Sequence, residues 1–263
     1  MRVSLVQFRP ELFQIKSNVE KALKMVNDTE EDLIVLPEMA FTGYAYTDKE
    51  EVEKTSETAG EDSAYSINTV RDFAVKKNKN IVFGFNEKYN NEYYNSSIFI
   101  KSDGSYSIYR KIHLFNREKL FFTPGENGFF VEDFKGYKVG MAICFDWIFP
   151  ESFRTLNVLG AELIVHPSNL VLPYCQEANK IRSLENRLFI ATSNRWGVEK
   201  NKNIEYEFTG MSQITDPKGN IIERYEKKGD IVKTFNLNLL ESRDKNINKF
   251  NNILKDRRKE FYR

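Results

Sequence analysis

"VGMAICFDWIFPE", residues 139–151, runs an apolar segment into a cysteine and then into an acidic, aromatic turn. With the residues on either side, "YKVGMAIC" reads as a strand and "FPESFRTLNVLGA" (149–161) as a helix, joined by a tight turn. That is the unit of an α/β fold, and open α/β sheets place ligands beyond the carboxyl ends of their strands. Cys144 stands at such an end. Cysteine is also among the most buried residue types, so the stretch alone leaves Cys144 open as a core filler or a reactive thiol. The residues that could stand beside it decide the matter.

The same alternation extends in both directions. Upstream, "RVSLVQF" is a strand, and "KSNVEKALKMVND" places Val19, Leu23 and Val26 on one helical face. "DLIVLPE" (32–38) is a continuous apolar run of the kind buried on both sides. A polar, acidic connection (48–62) leads to a helix in "SINTVRDFAVKKN". "NIVFGFNEK" and "YYNSSIFIK" are neighbouring strands joined by the turn-forming "YNNE", and "YSIYRK" is the next strand. Downstream, "AELIVHPSN", "LFIATSN", "GMSQITD", "IIERYEK" and "DIVKTFNLN" read as strands, and "YCQEANKIRSLENR" as a helix. No repeat, linker or low-complexity tract interrupts the chain, so residues 1–263 read as a single α/β domain. The charged, Asn-rich tail (about 240–263) is expected to cross a surface or pack on a neighbouring subunit.

The composition narrows the partners. With 39 basic and 38 acidic residues among 263, the formal net charge is +1, and no long-range field recruits nucleic acid or anionic lipid. No apolar run approaches the ~18 residues of a membrane span, and "MRVSLVQF" lacks the pattern of a signal peptide. Cys144 and Cys175 form neither a disulfide framework nor a CxxC pair, which fits a reducing cytoplasm. Neither His113 nor His166 has a second His or Cys at ligand spacing, so no metal is expected. GxxxxGK[ST] and GxGxxG are absent, so no phosphate-bearing cofactor is expected. Small molecules or copies of the chain itself remain as partners.

Polar residues collect at strand ends. Glu38 closes "DLIVLPE", where Pro37 cannot donate a ladder hydrogen bond. Lys111 closes "YSIYRK", Cys144 closes "YKVGMAIC", and His166 and Asn169 follow "ELIV". A free thiol with a pKa near ~8.5 is mostly protonated at neutral pH, and a neighbouring carboxylate could take its proton during attack. An ammonium and the Phe145 backbone N–H could hold the charge that develops on the attacked carbonyl or nitrile. Taken one at a time, a strand-end Glu or Lys is more often solvated, and the case rests on the combination.

That combination resembles the nitrilase superfamily of carbon–nitrogen hydrolases. "LPEMAFTGY" (36–44) is similar to the segment carrying that family's general base, which falls on Glu38. "YRKIHLF" (109–115) is similar to the lysine segment, falling on Lys111, and "REKLFFTPG" (117–125) to the segment of a second glutamate, Glu118. "GMAICFDWIFPE" resembles the nucleophile segment, falling on Cys144. The four occur in family order, and similarity runs from the first strand to "DRRKEF". The resemblance implies a four-layer α-β-β-α sandwich, a thioester acyl-enzyme, no cofactor, and a homodimer or higher homo-oligomer. "FPESFRTLNVLG" and "YCQEANKIRSLENR" are the candidate dimer face. It makes Glu118 the residue orienting Lys111 and the substrate, and His113 a support beside Lys111. Asp146 is expected to hold the turn. Where many relatives carry arginine or serine two residues past that aspartate, this chain has Ile148.

Phe41, Tyr44, Phe145, Trp147, Asn169 and Tyr174 are pocket candidates, and Arg195 is a candidate partner for a substrate carboxylate. The expected substrate is a small amide, with nitriles and N-carbamoyl amines as alternatives. A Cys–His hydrolase using His113 or His166, and a non-catalytic binding protein of the same fold, are the rival readings.

Overall fold

Leu33, Ile34 and Val35 show how the molecule is layered. Leu33 and Val35 point into a core shared by two sheets, and Ile34 points into a second core beneath helices. A strand covered on both faces has no polar face to keep, hence the unbroken apolar run. The structure, a computed structural model, describes residues 1–262; the last residue of the tail lies outside the described residues.

The first half of the chain comprises β1 (Arg2–Gln7), α1 (Ile15–Val26), β2 (Leu33–Val35), α2 (Lys49–Thr55), α3 (Tyr65–Lys77), β3 (Ile81–Tyr89), β4 (Glu92–Ile100) and β5 (Tyr106–Arg110). The second comprises β6 (Val131–Phe134), β7 (Tyr137–Met141), α4 (Pro150–Val158), β8 (Leu163–Ser168), α5 (Cys175–Asn186), β9 (Phe189–Asn194), β10 (Trp196–Asn201), β11 (Ile204–Thr209), β12 (Gln213–Thr215), β13 (Ile221–Arg224) and β14 (Ile231–Asn236). They form two six-stranded sheets, ordered β14-β1-β2-β3-β4-β5 and β13-β12-β9-β8-β7-β6. In each, three central strands are parallel and the outer ones antiparallel.

Val3, Leu5, Val82 and Phe99 of one sheet meet Val139, Met141, Leu163 and Val165 of the other in the central core. Helices α1 and α3 cover the outer face of the first sheet through Val19, Ala22, Val26, Ile67, Val70 and Ala74. Phe153 and Leu156 of α4 and Cys175 of α5 pack on the second sheet. Fully burying one such aliphatic or aromatic side chain stabilises the fold by about 1.5–3 kcal/mol. The four-layer α-β-β-α sandwich is therefore the observed architecture.

Some expectations change in detail. The connection at 48–62 contains α2, whose cap is Asp48: its side chain accepts the Glu51 N–H at 3.0 Å, and Glu51 accepts the Thr47 N–H at 2.7 Å. Asp-x-x-Glu is a helix-start signature. β6 and the β10–β11 hairpin are further additions. "YNNE" does turn β3 into β4, with Asn90 and Asn91 at φ 50° and 65°, the pair a tight two-residue hairpin demands.

Candidate active site

Glu38, Lys111, Glu118 and Cys144 converge at the carboxyl ends of β2, β5 and β7. Past β2, pairing ends at Pro37, and Gly84 of β3 takes in the Glu38 backbone: a Cβ on Gly84 would lie 2.5 Å from Glu38 Cα. Glu38 is thereby fully buried. Its Oε1 accepts from Lys111 Nζ at 2.7 Å and from Asn95 Nδ2 at 2.6 Å. Its Oε2 is buried with no hydrogen-bond partner among the described residues.

Lys111, next in sequence after β5, also donates to Glu118 Oε1 at 2.8 Å. Burial alone would lower its pKa, but Glu118 and Glu38 outweigh that and raise it, so the ammonium stays charged. Glu118 lies in a 3-10 turn (Asn116–Leu120) and accepts the Phe115 N–H at 3.2 Å. Burial raises its pKa, and Lys111 and Tyr44 oppose that rise. Tyr44 donates its hydroxyl to Glu118 Oε1 at 2.5 Å.

Cys144 follows β7 and opens a second 3-10 turn (Cys144–Ile148), with φ at +40°. A non-glycine residue held there costs about 1–3 kcal/mol, and such strain persists only where surroundings over-determine it. They do so here. Asp146 Oδ2 accepts the Ile143 N–H at 2.9 Å and the Tyr109 hydroxyl at 2.8 Å. His166 Nε2 donates to the Cys144 carbonyl at 2.9 Å. The Asn169 backbone N–H faces the sulfur and favours its charged form. Burial pushes the thiol pKa well above its ordinary value; Glu38 adds to that and Lys111 opposes it, so the sulfur is protonated at neutral pH.

The sulfur lines a small recess of about 10 Å³ with Phe115, Phe145, Trp147, Asn169 and Leu170–Leu172. That is room for about one water. Both polar atoms of the Asn169 amide are buried without partners among the described residues.

Phe145, Trp147 and Asn169 thus stand around the sulfur. Tyr44 lies instead in an adjoining recess with Glu118 and Tyr206. Phe41 belongs to the core under the helices, against Phe83 at 5.0 Å, and Tyr174 is 61% exposed at the head of α5. Arg195 is fully buried and pairs with Glu199 at 2.9 Å, which leaves it no reach to a substrate carboxylate. His113 braces the Cys144–Ile148 turn: its Nδ1 meets Asp146 Oδ1 at 2.7 Å and its ring stacks on Phe149 at 3.9 Å. His166 faces the Cys144 carbonyl, and burial lowers its pKa to about 4, so it is neutral at pH 7.

The model of the carbon-nitrogen hydrolase family matches residues 2–243. The chain belongs to the carbon-nitrogen hydrolase family. It is 40% identical over 267 residues to a nitrilase of Pyrococcus abyssi (strain GE5 / Orsay), covering 100% of this chain and 99% of that one. It is 31% identical over 246 residues to a citrullinase of Francisella tularensis subsp. tularensis, covering 88% and 85%. An amidase from Nesterenkonia sp. superposes with a TM-score of 0.84 at 21% identity, covering 99% and 94%. This carbon-nitrogen hydrolase has the same two-sheet sandwich as that amidase, as the nitrilase-superfamily resemblance implied. No helix among its described residues is long and apolar enough to cross a membrane.

Proposed function

We propose that the protein hydrolyses a small aliphatic amide through a thioester on Cys144, with Glu38 as general base and acid, Lys111 as the charge-holding cation and Glu118 as its anchor. One observation carries this reading: the unpartnered Glu38 Oε2. Its other oxygen is occupied by Lys111 and Asn95, which leaves one buried lone-pair face for a single proton. A protonated thiol needs such a base at the moment of attack.

The steps follow from that. The Cys144 sulfur attacks the amide carbon and its proton passes to Glu38. The carbonyl electrons move onto oxygen, where Lys111 Nζ and the Phe145 N–H stabilise them; N–H groups at the start of a helical turn have no partner within it. The oxyanion collapses, the carbon–nitrogen bond breaks, and Glu38 returns the proton to departing ammonia. Water, deprotonated by Glu38, then attacks the thioester, the carbon–sulfur bond breaks, and the thiol and a carboxylic acid are released.

The small, largely apolar recess favours a short acyl group, and Phe145 and Trp147 form its walls. N-carbamoyl amines are a second reading, favoured by the unpaired Asn169 amide, whose donor and acceptor match a ureido group. Nitriles require the same constellation. The reading extends to a cytoplasmic homodimer; the dimer is supported by the outward apolar Val158 and Leu159 at the end of α4 and Ile181 and Leu184 on α5.

The test is incubation with a panel of amides, nitriles and carbamoyl amines, followed by mass spectrometry of the intact chain. An acyl adduct on Cys144 is expected, and Glu38→Gln should reduce turnover by about 10³-fold or more while the fold persists. Full activity in Glu38→Gln would rule out Glu38 as the base. An inert thiol across the whole panel would favour a binding protein.

A further inference from the structure

A second buried ion pair lies behind the first. Arg195, just past β9, and Glu199, in β10, are both removed from solvent and meet at 2.9 Å. A buried pair is seldom a net gain in stability, so its hydrogen-bond targets matter more than its existence. Glu199 Oε1 accepts two backbone N–H groups, Tyr44 at 2.7 Å and Ala45 at 2.8 Å. Gly43 makes room for the carboxylate: it has φ +79°, and a Cβ there would fall 2.6 Å from Glu199 Oε2. Arg195 stacks over Phe208 at 4.1 Å, and Phe208 packs edge-on against the Tyr44 ring at 6.0 Å. The pair therefore grips Tyr44 by backbone and ring together, and the Tyr44 hydroxyl ends on Glu118 Oε1 at 2.5 Å.

We propose that Glu199 is a positioning residue for the reaction: held by Arg195, it fixes the Tyr44 backbone so that the Tyr44 hydroxyl secures Glu118 against Lys111. The inference rests on the triad reading above. It gives the loop after β2 two duties, since that loop carries both Glu38 and Tyr44. Glu118 is faced by Lys111, Glu38, Tyr44, the Cys144 sulfur and Tyr206 of β11. Of these, Lys111 and Tyr44 donate hydrogen bonds to its charged form. Withdrawing the Tyr44 hydroxyl favours protonated Glu118, so the acid limb of any rate set by this cluster moves to higher pH.

Iodoacetamide, a small amide that alkylates thiols, is the probe. Alkylation of Cys144 is followed against pH in the wild type, Tyr44→Phe, Glu199→Gln and the double variant, beside thermal melts. A Gln at 199 must turn its amide NH₂ toward either the Tyr44 N–H or Arg195, so one contact is lost. Each single variant should slow alkylation by about tenfold and raise the acid limb by about half to one pH unit. The double variant should stay within about threefold of the slower single one, because both act through one hydroxyl. If Glu199→Gln fails to fold, Glu199→Asp keeps the charge beside Arg195 and shortens the reach to Tyr44, and should show the same limb shift. A lower melting temperature with unchanged rate and limb, or losses that multiply in the double variant, would overturn the proposal. Glu38→Gln runs alongside: wild-type alkylation there would sink the triad reading instead.

Discussion

Cys144 and Cys175 are both buried, and burial pushes both thiols well above the ordinary range. Desolvation therefore does not tell a reactive sulfur from a filler; neighbours do. Cys144 is held at φ +40° over a recess, in the field of Glu38, Lys111 and Glu118. Cys175 opens α5 in the apolar core, lines none of the described recesses around the site, and has Asn179 Nδ2 at 3.5 Å and the Arg182 charge, but no carboxylate, acting on it. A thiol without a base stays protonated and inert.

The largest expected effect separates the two directly. Cys144→Ala should lower turnover by about 10⁴-fold or more, because the bond to the acyl group has no other donor. Cys175→Ala should leave turnover within about twofold. Iodoacetamide should label Cys144 alone in the native protein and both cysteines in denaturant, read by peptide mass spectrometry. Labelling of Cys175 in the native state, or turnover in Cys144→Ala, would erase the contrast.

A buried chain of hydrogen bonds nevertheless runs from the Cys175 sulfur to the Cys144 backbone carbonyl. Asn179 Nδ2 touches Cys175 Sγ at 3.5 Å and Thr192 Oγ1 at 2.9 Å; Thr192 Oγ1 lies 3.2 Å from His166 Nδ1; and His166 Nε2 lies 2.9 Å from the Cys144 carbonyl. A carbonyl only accepts, so His166 carries its proton on Nε2 and takes the Thr192 hydroxyl at Nδ1. The unfolded chain binds a proton at His166 near pH 6.5, the folded chain only near 4, so protons favour unfolding in between. Stability should fall by up to about 3 kcal/mol as pH drops from 6.5 to 4 through this residue alone. Urea melts across that range should show a flatter dependence in His166→Asn, with a lower plateau at neutral pH. An identical slope in wild type and variant would mean the ring is not held neutral.

Legibility in the sequence followed chain-local signals. Glu38, Lys111 and Cys144 stood out because each closes an apolar run, and sheet topology brings such ends together. Glu118 came only through family resemblance, since "NREK" reads as a surface turn. The conformation of Cys144 was not legible, because φ +40° comes from bonds made by Asp146 and His166 from outside its strand. Nor was the grip of Glu199 on Tyr44, which spans 155 residues and depends on backbone N–H groups that have no letter in the sequence. Arg195 was misread for a related reason: its charge suggested a ligand, but burial beside Glu199 and Phe208 commits it to the scaffold. Helix α2 lies hidden in an acidic stretch whose composition reads as a loop, although Asp48 and Glu51 spell its cap.

The smallest predicted effect tests how far the chain of bonds carries. Removing the Cys175 sulfur deletes one weak acceptor and leaves a small void, which should cost about 1 kcal/mol in urea melts. Asn179 keeps its bond to Thr192 at 2.9 Å, so the Thr192 hydroxyl still faces His166 and the Cys144 carbonyl stays held. Asn179→Leu removes that donor too and should therefore slow iodoacetamide labelling of Cys144 severalfold, whereas Cys175→Ala should not change it. Equal slowing in both would place the coupling in packing around α5 rather than in the hydrogen bonds.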